Sequence, residues 1–366
     1  MGFSGLRLLP AVLLSLVLFP LASSEAGAQD AAQKPPATPE LRQRPAENKT
    51  AVMEGRMRLD VVVTDAAGNP ITGLEAKDFR VLDDNQALAM LSFRAVGGTQ
   101  GKTDSRVSLF LIMDTVNSGL LDIPFMRDEV ERFLRQNDGH LTHPVTVVLF
   151  TDAGMQLVGK TSLDGNALAE AVHAVKPPVH TIHSAAGGEA LVERYQISVK
   201  ALAMLVAREV PVAGRKMLLW IGPGWPVLRR PDTNFNSHSE EMNFNVIASL
   251  TNQLRQARLV VCSAGGGTEF RVADLLKPVK MAKDASAANL AVQVVAIHSG
   301  GRTLDGGNRS RPAEQLNGCV QEIGAYYTLT FDPPQGEKAF TYHGLKVTVD
   351  KPGVKVNTTA GYYAEP

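Results

Sequence analysis

Three hydrophobic patterns follow one another along the chain. Met57, Leu59, Val61 and Val63 alternate with mostly polar neighbours, and this period of two predicts a half-buried strand over Met57–Thr64. A turn at Asp65–Asn69, a strand-like Pro70–Leu74, a strand at Lys77–Leu82, hairpin residues Asp83-Asp84-Asn85-Gln86 and a strand at Leu88–Val96 complete an N-terminal group without a helix. From Val107 the pattern changes. Val107–Met113, Pro144–Thr151 and Arg215–Ile221 are near-continuous apolar runs of strand length, the mark of strands covered on both faces. Helical patterns lie at Pro124–Gln136 (Phe125, Val130, Phe133, Leu134), Gly165–Val175, Leu191–Val210, Glu240–Ala257 and Asp284–Ile297, with shorter strands at Met155–Val158, Arg258–Ser263 and Gly301–Leu304. This alternation predicts an α/β fold with a doubly wound, mainly parallel sheet. A helix at Pro312–Ile323 leads back to strands alone: Ala325–Phe331, Gly344–Val349, Val354–Thr358 and Gly361–Ala364. The two terminal strand sets are half-sheets, each in need of a cover. The simplest arrangement packs them on each other as a β-sandwich with the α/β domain inserted; two separate β caps are the alternative.

The first residues change the setting. Arg7 precedes an apolar stretch, Leu8–Leu21, and Ala26-Gly27-Ala28 offers a small-x-small cleavage site. Residues 1–28 therefore read as a secretory signal peptide, with an uncleaved anchor as the alternative. Cleavage leaves Gln29 at the start of a secreted or periplasmic chain. Residues 29–54 are polar and Pro-rich, too poor in apolar surface to fold, and read as a disordered linker. The remaining divisions are 55–98 for the N-terminal strands, 105–310 for the α/β domain and 311–366 for the last helix and C-terminal strands. No later run is long and apolar enough to span a bilayer, so no transmembrane segment is expected in the mature chain.

Of 366 residues, 44% are hydrophobic and 20% charged, enough for a sizeable core. Zero net charge removes any electrostatic case for a nucleic-acid partner or an anionic membrane. The cysteines are Cys262 and Cys319. Export permits a bridge between them. Cys262, inside the apolar run Leu259–Cys262, reads more simply as a buried free thiol, and the pairing stays open.

Candidate chemistry concentrates where the Val107 strand ends, in Asp114-Thr115-Val116-Asn117-Ser118. An acid with a hydroxyl four residues on, past the carboxyl end of a buried strand, stands where open α/β sheets bind ligands. Enzyme signatures are lacking. There is no Gly-x-Ser-x-Gly elbow. Gly101-Lys102-Thr103 has Val96 where a phosphate loop needs its first glycine, and it leads into a strand. Gly265-Gly266-Gly267 lacks dinucleotide spacing. His180 and His183, near Glu189, do not sit on a zinc-motif helix. With no base at interpretable spacing from a nucleophile, the reading is non-enzymatic. A metal-dependent hydrolase using Asp114, Ser118 and the histidines is one alternative, and a structural component of the cell envelope is another. Trp220 reads as core. Trp225, just past the same sheet edge, is expected to be exposed and, with Asn117, to contact a partner. The polar segment Leu228–Ser239 lies at that edge too.

Four stretches carry a resemblance: Val61–Phe79 (VVVTDAAGNPITGLEAKDF), Leu109–Ser118 (LFLIMDTVNS), Leu218–Pro226 (LLWIGPGWP), and Ala325–Pro333 with the closing Gly361-Tyr362-Tyr363-Ala364. Together they resemble the acidobacterial family of exported proteins related to the von Willebrand factor type A domain. The resemblance implies a doubly wound sheet and an adhesion-like, protein-binding role. It also implies a metal-ion-dependent adhesion site: Asp-x-Ser-x-Ser from a first loop, Thr from a second, Asp from a third, and an open position for a partner's carboxylate. Matched onto this chain, Asp114 and Ser118 fit the first loop and Thr181 the second. Val116 replaces the middle serine, Gly222 stands where the third-loop acid belongs, and Asp232 lies further along that loop. The expectation is a degenerate site without a resident cofactor, Mg²⁺ or Mn²⁺ being the alternative, and a protein ligand the sequence does not identify. The competing local role for Asp114 and Ser118 is to cap the following helix or bond the loop backbone.

Overall fold

The computed structural model describes residues 55–97, 107–176, 188–227, 237–266, 272–305, 311–334 and 337–365. The expected signal peptide and linker, and Thr181, His180, His183 and Asp232, lie outside the described residues.

The N-terminal strands are β1 (Met57–Thr64), β2 (Phe79–Asp83), β3 (Gln86–Leu88) and β4 (Met90–Val96). Pro70–Leu74, expected as strand-like, makes a single bridge from Pro70 to Thr64. Proline brings no N–H to a ladder, and Gly73 at φ 84° turns the chain away. The α/β part then runs β5 (Ser108–Asp114), α1 (Asp122–Leu134), β6 (His140–Thr151), β7 (Gly154–Asp164), α2 (Gly165–His173), α3 (Gly188–Glu209), β8 (Lys216–Ile221), α4 (Ser237–Gln256), β9 (Leu259–Gly266), α5 (Val292–His298) and β10 (Arg302–Asp305). After α6 (Pro312–Ile323) come β11 (Tyr326–Phe331), β12 (Tyr342–Val349), β13 (Lys355–Asn357) and β14 (Gly361–Tyr363).

The central sheet has the order β10-β9-β8-β5-β6-β7. All pairs are parallel except β6 with β7, an antiparallel hairpin whose second strand extends well beyond the expected Met155–Val158. Counted within the sheet, this is the 3-2-1-4-5-6 order of doubly wound folds, and the order reverses between β5 and β8. The sheet is therefore doubly wound and mainly parallel, as its apolar runs predict.

Alternate residues explain the two covered faces. Phe110, Ile112, Leu218 and Trp220 point into a core shared with Leu202 and Val206 of α3, Leu250 and Leu254 of α4, and Val295 of α5. Leu109, Leu111, Met217 and Leu219 point into a second core with Val130 and Phe133 of α1, Leu168 of α2, and Leu316 and Ile323 of α6. Two expectations change. Phe125 is exposed, because the buried stripe of α1 runs through Ile123, Met126, Val130 and Phe133 instead. The expected helix at Asp284–Ile297 shrinks to α5. Before it, Ser286 and Asn289 form a reciprocal capping box around a short 3₁₀ turn, and Ala287, Ala288 and Leu290 are buried there without helical continuity. Cys262 and Cys319 are joined in a disulfide, which ties β9 to α6 across the second core. The expected free thiol at Cys262 is thus corrected: both side chains face the same core, a proximity that strand and helix spacing alone do not reveal.

The terminal strands interleave. Strand β1 lies between β11 and β13 in the sheet β13-β1-β11-β4, and β12 lies between β14 and β2 in the sheet β14-β12-β2-β3. Their apolar faces share one core: Leu59, Val61 and Val63 of β1 and Leu329 and Phe331 of β11 meet Val81 of β2, Val347 of β12 and Tyr362 of β14. The other face of β1 carries Asp60, which receives two hydrogen bonds from Arg258, 2.9 and 3.1 Å long, at the end of α4.

Candidate functional site

Strand β5 delivers Asp114 to the carboxyl edge beside the reversal point, where ligands of doubly wound sheets bind. Its parity puts the side chain on the Trp220 side. Trp220 lies one strand away on β8, and its indole Nε1 donates to Asp114 Oδ2 at 3.1 Å. Asn117 covers the rest. Its backbone N–H donates to Oδ1 at 3.0 Å, and its side-chain Nδ2 approaches Oδ1 at 3.0 Å and Oδ2 at 2.9 Å. The same amide nitrogen lies 3.0 Å from the hydroxyl of Ser198, a buried residue of α3. Asn117 Oδ1 is buried with no partner, so the acceptors on Asp114 and Ser198 fix which way the amide faces.

Asp114 is 0% exposed. Burial pushes its carboxyl up to about 6, and the hydrogen bonds from Asn117 and Trp220 oppose that rise. Ser118 donates its hydroxyl to the Asp114 carbonyl at 2.6 Å, closing the loop on itself. Thr115 donates to the Phe150 carbonyl at 2.6 Å and pins the loop to the end of β6. Val116 is buried in the core.

The third loop explains its missing acid. Gly222 adopts φ 144°, and a Cβ built there would fall 2.7 Å from the Cβ of Asp114. The backbone passes too close for any side chain. Gln293 Nε2 donates to Pro223 O at 3.2 Å, and a Cβ on Gly224 would meet Val292 at 2.5 Å, so the whole loop is pressed onto α5.

The described residues of this arrangement do not fit a divalent ion. Mg²⁺ and Mn²⁺ need hard oxygen ligands. Here both carboxylate oxygens face N–H donors, the Ser118 hydroxyl is spent on a backbone carbonyl, and positions 116 and 222 bring no ligand atom. The Ser118 hydroxyl meets the backbone carbonyl of Asp114, while the Asp114 carboxylate turns to Asn117 and Trp220. Thr181 lies outside the described residues.

Trp225 is corrected. It is 3% exposed, its indole donates to Leu290 O at 2.9 Å, and its ring meets Trp220 edge-on with centroids 5.3 Å apart. An indole this buried, with its N–H engaged, offers no exposed surface to a partner. Among the described residues, exposed apolar groups follow β5: Leu120, 65% exposed, and Leu121, 93%, lie on the loop into α1, and Phe125, 57%, lies in its first turn. The Leu-Leu pair between Gly119 and Asp122 carried the signal, since it precedes the buried stripe of α1 and has no core position to fill.

No protein-family model matches the sequence, and no curated protein matches it. Among solved structures, manganese-loaded TRAP protein of Plasmodium vivax is similar at 12% identity, covering 73% of this chain and 96% of that one, with a TM-score of 0.31. The SpRpn10 VWA domain is similar at 11% identity, covering 60% and 97%, with a TM-score of 0.30. The pilus adhesin SpaC of Lactobacillus rhamnosus GG, in its open conformation, is similar at 10% identity, covering 83% and 49%, with a TM-score of 0.32. Likeness at this level assigns neither ligand nor partner.

Proposed function

We propose that this chain is an exported, non-enzymatic binding protein. It engages a protein partner through the carboxyl edge of its six-stranded sheet, with Leu120, Leu121 and Phe125 as the contact surface and without a bridging metal ion. One observation carries the reading: three large apolar side chains within six residues stand exposed beside the point where the strand order reverses. Leaving a leucine in water forgoes about 1.5–3 kcal/mol of burial, which a partner's surface would recover.

The closed state of Asp114 supports a non-catalytic role, since a fully buried carboxylate and a committed Ser118 hydroxyl offer substrate no nucleophile or base. The disulfide supports export, because such bridges persist in oxidising compartments. The signal-like segment Arg7–Ala28 points the same way. In this reading the terminal strands form a β-sandwich that carries the inserted α/β unit, and the chain belongs with the exported type A-related proteins it resembles in sequence.

The test is chemical cross-linking in the native envelope and culture medium with wild type and with Leu121→Asp/Phe125→Asp. Both side chains are exposed, so folding should be unchanged by circular dichroism. A partner captured by wild type and lost from the variant supports the proposal. Equal capture by both overturns it. Mass spectrometry of the exported chain should find Gln29 at its N-terminus.

A further inference from the structure

The outer strand of the six-stranded sheet is covered on one face only. Strand β7 pairs with β6 and has no neighbour beyond it among the described strands. On one face, Val158 is buried with Leu168 of α2. On the other, Met155 stands opposite Phe150 and Leu157 opposite Val148, so both point to the side that α3 covers over β5 and β6. The helix does not extend over β7, and Leu157 is 63% exposed.

The space left between β7 and α3 is an open groove of about 530 Å³. Met155 and Leu157 form one wall, and Ile197, Ala201 and Met204 of α3 form the other. Met204 is 64% exposed, so each wall ends in a large apolar side chain left in water. The volume falls within the range of small-molecule sites, and unbranched methionine side chains adapt to a flexible ligand. The groove shares no residue with the Leu120, Leu121 and Phe125 surface.

Charge narrows the ligand class. Lys200, Met204 and Arg208 follow one another at i, i+4 and i+8, one row along α3. Arg208 spends its Nε on Glu209 at 3.2 Å. Lys200 makes no hydrogen bond or ion pair among the described residues, and it lines the groove one helical turn from Met204. Asp152, the one carboxylate in the lining, already has a partner. A lysine stem lies readily along apolar surface while its ammonium stays at the rim. An apolar trough with an uncommitted cation at its rim complements a molecule that is an alkyl chain at one end and an anion at the other.

We propose that this groove binds a free fatty acid, its alkyl chain lying between β7 and α3 against Leu157 and Met204 and its carboxylate on Lys200.

Calorimetry on the full chain with sodium laurate, kept below the concentration at which it forms micelles, tests this. Dodecyltrimethylammonium carries the same chain length on a cation, and octanoate carries the same head group on a shorter chain. The variants are Leu157→Glu, Met204→Glu and Lys200→Glu, all at exposed side chains and each checked for folding by circular dichroism. The expected result is saturable laurate binding, weakened about tenfold or more in Leu157→Glu and in Met204→Glu. Octanoate, four methylenes shorter, should bind at least about tenfold more weakly than laurate. Wild type should prefer laurate to dodecyltrimethylammonium, and Lys200→Glu should reverse that preference. No saturable heat with laurate up to about 1 mM, or equal affinity in wild type and both apolar-wall variants, overturns the proposal. A head-group preference that Lys200→Glu leaves unchanged overturns it as well. So does sedimentation that finds a wild-type dimer dissolved by Leu157→Glu and not by laurate, which would make the groove an interface between copies of this chain.

Discussion

The side-chain amide nitrogen of Asn117 lies within 3.0 Å of both carboxylate oxygens of Asp114. Neutral hydrogen-bond donors thus occupy both oxygens of the carboxylate. The expected outcome of calorimetry with Mg²⁺ and Mn²⁺ is no saturable heat in wild type. Heat that vanishes in Asp114→Ala would restore the metal site. Asn117→Ala should be destabilising, because it strips side-chain donors from a buried carboxylate, at a cost of about 1–3 kcal/mol in chemical denaturation.

The same carboxyl gives the stability a pH dependence of known sign. Folded, Asp114 titrates at about 6. Unfolded, it titrates at about 3.9. Between these values the folded state binds the extra proton, so Asp114 contributes most on the acid side and its contribution falls as pH rises through 6. The full swing is on the order of 3 kcal/mol. Other groups titrate in this window as well, so the difference between wild type and Asp114→Asn isolates it. Denaturation midpoints from pH 4 to 8 should show wild type losing ground to the variant as pH rises. A difference flat with pH would contradict the assignment.

Gly222 ties the third loop to this carboxyl. Gly222→Ala places a Cβ 2.7 Å from that of Asp114 on a backbone at φ 144°. Overpacking and left-handed strain together predict a loss of about 2–4 kcal/mol. Gly222→Asp, which restores the acid of a complete adhesion site, should destabilise at least as much and confer no Mn²⁺ binding. A stable variant that binds Mn²⁺ would show that the loop opens readily.

The central sheet was legible because its strands are buried on both faces, and uninterrupted apolar runs such as Met217–Ile221 leave little alternative. Helix α6 was legible to the residue, since Pro312 starts it and its apolar stripe is regular. Elements whose identity depends on distant partners were not. Trp225 looks exposed in sequence because it follows Gly-Pro-Gly, yet it buries itself against Trp220 and the Leu290 carbonyl, which lies 65 residues away. Cys262 and Cys319 lie 57 residues apart, and only the register of β9 against α6 brings them together. At the site, the sequence places Asp114 and Ser118 in one loop after β5. That Asn117 and Trp220 close over the Asp114 carboxylate was not legible, because it depends on Ser198 of α3 and on β8, both far along the chain.

Arg258 occupies a helix end where glycine is usual. It follows α4 at φ 54°, a left-handed conformation that costs a side-chain-bearing residue about 1–2 kcal/mol. The compensation is its fork on Asp60 and its contact with Tyr326, whose ring centroid lies 5.6 Å away. Arg258→Gly removes the backbone strain but strips both guanidinium hydrogen bonds from a nearly buried carboxylate, leaving it Arg215 at 4.0 Å and the Thr328 hydroxyl, a loss of about 3–5 kcal/mol at most. The net expectation is a destabilisation of about 1–4 kcal/mol by denaturant titration. Adding Asp60→Asn removes the stranded charge, so the double variant should recover part of that loss. Recovery would show that the arginine is retained at a glycine position for the carboxylate it neutralises. A double variant less stable than Arg258→Gly would instead place the contribution of Asp60 in its hydrogen bond from Thr328 and its site on β1.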